Sequence, residues 1–198
     1  MWKSVQKRDR IIWKSGNPYE AGTDKTFSLD TLPQEYTAYG NGDYRINGLE
    51  TEQADGSDTA NLKYEFYEIS KGKYSLKGLP AMFAKEDEAE TLEIVLKDHV
   101  SGLRAHLLYG VFPQLDVITR AVRLENTGTA LVTVKKAMSM EMDYEYRELD
   151  AVHFYGKHNM ERQMERTHLG HGNWSVGSIR GTSSHHHNPF VILCDRNT

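Results

Sequence analysis

Two kinds of side chain are dense enough in this sequence to suggest chemistry: carboxylates and histidines. The 198 residues include 28 Asp and Glu and 9 His. Hydrolysis of a glycosidic bond uses two carboxylates, about 5–5.5 Å apart for retention and about 6.5–9.5 Å apart for inversion. Glu141, Asp143, Glu145 and Glu148 gather near a predicted strand end, and Asp30 and Glu35 flank Leu32-Pro33. Runs of this kind belong by default to solvated surface. They are therefore read as a charged strand rim, and no catalytic residue is assigned. His185-His186-His187 is the other conspicuous feature. On a strand His185 and His187 share a face, but zinc needs a third and a fourth ligand. Cys194, His168 or His171 would have to arrive by folding, and no metal site is assigned. Ser183, Ser184 and Asn188 suit a turn entering a strand.

The lone cysteine, Cys194, ends the apolar run Phe190-Val191-Ile192-Leu193. No local basic setting would lower its pKa, so it reads as a buried core thiol. Neither GxGxxG nor GxxxxGK[ST] occurs, which leaves no phosphate-cradling loop and no cofactor to expect. Aromatic faces can stack on sugar rings. Tyr64, Phe66 and Tyr109 fall in strand patterns and read as core. Trp174, in Gly170-His171-Gly172-Asn173-Trp174, is the best exposed candidate for touching a sugar.

The elements that would position these groups are strands. Leu62, Tyr64 and Phe66 alternate on one expected face, as do Leu92, Ile94 and Leu96. Leu103 to Phe112 is apolar. Val117 to Leu124 places Ile118, Arg120, Val122 and Leu124 together, and Leu131 to Val134 opens a further strand. Lys71-Gly72-Lys73, Gly40-Asn41-Gly42-Asp43 and Asn126-Thr127-Gly128-Thr129 supply turns. Ile11-Ile12-Trp13 suits a short strand, and Ser15 to Lys25 a loop. Glu86 to Glu90 suits a turn. Met160 to Thr167 reads as a short helix without a cap. Short strands separated by Gly/Asn turns argue for packed antiparallel sheets.

Composition narrows the classes. Hydrophobic residues are 38% and charged residues 26%, which suits a globular domain. A net charge of −4 supplies no broad cationic field, so no nucleic-acid partner is expected. No apolar run approaches a membrane span, so no membrane partner is expected either. The polar start Met1 to Arg10 carries no secretory h-region. A cytoplasmic protein is the expectation.

Four strings carry a resemblance. They are Thr26 to Tyr36 with Tyr39 to Arg45, Leu76 to Ala81 leading to Glu88 to Ile94, Asp116 to Arg120 with Glu125-Asn126, and Arg180 to Phe190. In this order they resemble the N-terminal region of bacterial α-galactosidases of glycoside hydrolase family 36. The resemblance implies an all-β fold, an antiparallel β-supersandwich of the galactose mutarotase-like type. It would span 26–198, after a poorly matching lead-in at 1–25. In such enzymes the two catalytic aspartates lie in a TIM-type barrel beyond the region matched here. The resemblance therefore implies a non-catalytic fragment of an enzyme that removes terminal α-linked galactose from oligosaccharides such as melibiose and raffinose. The alternative is a stand-alone carbohydrate-binding or oligomerisation module. It also implies a homo-oligomer, in which the loop before Phe27-Ser28-Leu29-Asp30 reaches a neighbouring subunit's active-site entrance. The matching substrate-binding positions are Lys25 and Asp24, with Trp174 as the aromatic addition. Lys25 stands where the family often has Arg.

Overall fold

The structure is a computed structural model that describes residues 33–40, 45–79, 81–143, 148–180 and 186–197. The strand expected at Ile11-Ile12-Trp13, the loop through Asp24 and Lys25, and Asp30, Glu145 and His185 lie outside them. The chain forms two compact units, Met1–Asp143 and Tyr144–Thr198. The regular elements of the described residues are all strands. The all-β antiparallel fold expected from the sequence is therefore the observed one.

The first unit holds β1 (Leu49–Gln53), β2 (Leu62–Lys71), β3 (Glu90–Asp98), β4 (Leu103–Phe112), β5 (Val117–Asn126) and β6 (Val132–Ala137). β2 to β5 form a four-stranded antiparallel meander in sequence order, and β1 pairs antiparallel with β6. Alternation explains which faces meet. Ile94, Leu96, Leu103, Ala105 and Leu107 of the meander pack in one core with Leu49 of β1, and Val132 of β6 lies against it. Two sheets thus close over a shared interior. Leu49, Leu103 and Leu107 are at most 2% exposed. Burying each contributes about 1.5–3 kcal/mol.

The β3–β4 hairpin is closed by Asp98. Its Oδ1 accepts Val100 N–H at 3.0 Å, and its Oδ2 accepts the Ser101 hydroxyl at 2.8 Å. Gly102 follows with φ +77°, where a Cβ would stand 2.7 Å from the nitrogen of Gly128. Only glycine suits that backbone and that approach.

β2 departs from the expected alternation. A bulge between Tyr64 and Phe66 pairs Tyr64 with Leu96 but Phe66 with Val95. The extra residue, Glu65, turns Phe66 to the face opposite Leu62 and Tyr64. Tyr64 is 61% and Phe66 45% exposed, so neither belongs to the core expected for them. Tyr109 does pack against it. Glu65 instead receives Arg104 on both oxygens, at 2.9 and 3.0 Å, with Lys97 at 3.7 Å.

The second unit holds β7 (Leu149–Lys157), β8 (Met160–Leu169) and β9 (Ile192–Asp195), in the order β8-β7-β9. The helix expected at Met160 to Thr167 is the outer strand β8. It pairs with β7 from Leu149–Leu169 to Lys157–Met160. Nearly all its residues are exposed, so burial imposes no two-residue alternation on Met160-Glu161-Arg162-Gln163-Met164-Glu165. The Met and Glu pairs four apart then imitate a helix. Asn159, at φ +64°, makes the tight turn that fixes the hairpin.

Candidate functional site

The densest group of interacting charges in the first unit forms beneath the segment Gln34 to Thr37. Glu35 Oε1 accepts Arg120 Nη1–H at 3.1 Å and also the Tyr109 hydroxyl. Tyr109 and Arg120 are register partners on β4 and β5. The guanidinium lies 3.9 Å from the centre of the Tyr109 ring, a cation–π contact. Arg120's side chain is 9% exposed, while that of Glu35 is 44% exposed. Arg120 thus gives up more of its hydration, and burial lowers its pKa against the pull of Glu35. Burial likewise pushes the Glu35 carboxyl above the usual glutamate range, with Arg120 opposing. The Nε and Nη2 of Arg120 are buried without a hydrogen-bond partner.

Two further acids fasten the same segment. Glu141 Oε2 accepts Thr37 N–H at 2.7 Å and the Thr37 hydroxyl at 2.9 Å. Burial raises its pKa, and the Thr37 donors pull the other way. Thr37 Oγ1 in turn accepts Gly48 N–H at 3.0 Å, which ties the segment to the start of β1. Asp143 Oδ2 accepts Gln34 N–H and Arg45 Nη1–H, each at 2.7 Å. The Tyr36 hydroxyl donates to the carbonyl of Met138 at 2.9 Å, and burial pushes its pKa up to about 12.

This corrects the reading of Glu141 and Asp143 as a solvated rim. Both hold backbone that no ladder satisfies. Glu148 does fit the rim reading, exposed and 3.6 Å from Arg196. Chemically, Glu35 is a carboxyl that retains its proton more readily than usual, but Tyr109 and Arg120 both grip its Oε1. The acids here act as fasteners.

In the second unit Asp150, 7% exposed, binds Arg166 Nε at 2.6 Å and lies 3.2 Å from His168 Nδ1. The Arg166 hydrogen bond, reinforced by His168, holds its pKa below the usual carboxylate range. Arg166 also donates to the carbonyls of Asp195 and Arg196, and the Cys194 thiol points to the Asp150 carbonyl at 3.8 Å. Cys194 and His168, considered as metal ligands beside His185 and His187, are thus both engaged around Asp150. Cys194 is half-buried rather than a core thiol. Among the described residues, no group of three or more His, Cys, Asp and Glu is arranged to hold a metal.

Trp174 is half-buried and meets His153 edge-on, with ring centres 5.4 Å apart. Lys25 and Asp24 lie outside the described residues, so of the three expected substrate contacts only Trp174 is described. Sequence reasoning missed His153, which is 4% exposed. Its only signal was a lone histidine between Val152 and Phe154. His187 forms an isolated bridge with Tyr155, and its ring centre is 6.1 Å from that of His153. His187, Asn188, Phe190 and Val176 border an open cleft of about 350 Å³.

The described residues form antiparallel sheets throughout, and Glu35, Glu65, Glu141, Asp143 and Asp150 are each tied to neighbouring side chains or backbone. The chain belongs to glycoside hydrolase family 36: residues 5–198 match the Glycosyl hydrolase family 36 N-terminal domain. It is 54% identical over 184 residues to the bifunctional alpha-galactosidase/sucrose kinase AgaSK of Mediterraneibacter gnavus, covering 93% of this chain and 20% of that protein. It is 43% identical over 196 residues to alpha-galactosidase AgaA of Geobacillus stearothermophilus, covering 98% of this chain and 26% of that protein. The chain thus spans about a fifth to a quarter of the length of these curated relatives. The solved galactosidase domain of AgaSK superposes with a TM-score of 0.85 over 93% of this chain and 26% of that one. AgaA bearing A355E and D548N, solved with raffinose, gives 0.85 at 43% identity, over 92% of this chain and 25% of that one.

Proposed function

We propose that the chain is the N-terminal, non-catalytic domain of an α-galactosidase acting on terminal α-linked galactose in oligosaccharides such as melibiose and raffinose. The observation that carries this reading is coverage. Relatives named alpha-galactosidases account for 93–98% of this chain, yet the chain accounts for only 20–26% of them. The disposition of the acids supports it. Glu35, Glu141, Asp143, Glu65 and Asp150 each accept hydrogen bonds from the domain itself. On this reading the domain serves as scaffold in a cytoplasmic homo-oligomer. Asp24, Lys25 and Trp174 then lie toward a neighbouring subunit's substrate. The test is an assay of the 198-residue chain on a nitrophenyl α-galactoside. No turnover is expected; turnover abolished by Glu35→Gln or Glu141→Gln would overturn the reading.

A second reading, a stand-alone carbohydrate-binding module, is favoured by Trp174, whose ring is only half-buried. Titration with galactose and raffinose, followed by tryptophan fluorescence, separates the two. A saturable change lost in Trp174→Ala supports binding, and an unchanged signal leaves the scaffold role.

A further inference from the structure

Two buried nitrogen atoms in the second unit have no hydrogen-bond partner: Nδ1 of His153 and Nδ1 of His187. Buried polar atoms are normally satisfied, so two orphans on neighbouring rings call for an occupant. Their ring centres are 6.1 Å apart and their planes differ by 31°. The Glu165 carboxylate stands 3.6 Å from His153 Nε2. That placement favours a proton on Nε2 and leaves the Nδ1 lone pair free. A carboxylate behind the far nitrogen of an imidazole is the usual outer partner of a metal-bound histidine. Backbone pairing holds the second ring. His187 bridges Tyr155, and Asn188 N–H donates to the carbonyl of Phe154 at 2.9 Å. Trp174 and Tyr155 flank His153 with ring centres 5.4 and 6.0 Å away.

We propose that His153 and His187 form a two-imidazole site for a transition-metal cation of the nickel and copper class. With a metal–nitrogen bond of about 2 Å, each ring centre lies about 3 Å from the ion. Two rings bound through Nδ1 on opposite sides of one ion are then about 6 Å apart, a spacing that the 6.1 Å between ring centres permits. A tetrahedral angle would draw them closer, so zinc fits less well than ions that accept ligands in trans. The protein supplies two ligands here, consistent with the lack of a three-ligand group among the described residues. His187 also borders the open cleft of about 350 Å³, so the pair lies beside solvent.

The test is calorimetric titration of the 198-residue chain, stripped with a chelator and purified without a metal column, using Ni²⁺ and Zn²⁺ separately. One equivalent of Ni²⁺ is expected, bound more tightly than Zn²⁺. Glu165→Gln weakens it by about tenfold. His187→Gln and His153→Gln abolish it, and His158→Gln leaves it unchanged. Circular dichroism accompanies each variant. Should His153→Gln fail to fold, His187→Gln decides alone, because His187 lies outside the named strands. No binding by the native chain would overturn the proposal. So would Ni²⁺ binding that survives His187→Gln, or binding lost in His158→Gln.

Discussion

At the scale of single residues, two carboxyl groups have opposite electrostatic circumstances and should give opposite pH responses. Burial raises the pKa of Glu35. Between its unfolded and folded values the native state holds more protons than the unfolded chain, so stability falls as pH rises through that window. Asp150 is the reverse. Arg166 and His168 lower its folded pKa, so its contribution is present above the unfolded value and is lost as pH falls through the folded one. Urea unfolding of the first unit should therefore show less loss of stability towards neutral pH in Glu35→Gln. Asp150→Asn should flatten the acid limb of the second unit. An unchanged pH profile in either variant would contradict the assignment. Neither behaviour was legible in the sequence. Glu35 and Arg120 are separated by 85 positions, and only the Tyr109–Arg120 register brings them together. Glu141 and Asp143 looked like rim charges for the same reason: their partners, Thr37 and Arg45, lie about a hundred residues away.

At the scale of elements, legibility followed burial. Leu92, Ile94 and Leu96 on β3, and Ile118, Arg120, Val122 and Leu124 on β5, kept the faces their alternation predicts. The apolar face of each strand is packed, so a one-residue slip would be costly. β8 was illegible because neither of its faces is packed. β1 was missed because its five residues, Leu49–Gln53, alternate too briefly to stand out. The importance of the buried face can be measured. Leu107→Ala opens a cavity between the sheets of the first unit and should cost about 2–5 kcal/mol. Val134→Ala, at a 45% exposed position, should cost well under half of that. Equal costs from denaturant titration would mean that the two sheets do not share the interior described.

At the scale of the molecule, the family was readable because its strings occur in order along the chain, and the comparisons place it there. The assembly is a property of surfaces. Among the described residues β2 is an edge strand of its sheet, and it exposes Tyr64, Tyr67 and Ile69 by 60% or more. Unpaired edges with apolar side chains template association. The isolated chain should therefore associate with increasing concentration in sedimentation velocity, and Ile69→Lys should shift it towards monomer. A chain that stays monomeric at every concentration would contradict this.

The bulge at Glu65 has a genetic consequence. Because Tyr64 already faces Leu96 and Phe66 already faces Val95, loss of the single codon between them would close the ladder with every later side chain still on its own side. Loss of a codon farther along the strand would reverse the side chains between that position and the bulge. In a library of one-codon deletions through β2, survivors should cluster at position 65. They would give up only the grip of that carboxylate on Arg104 and Lys97.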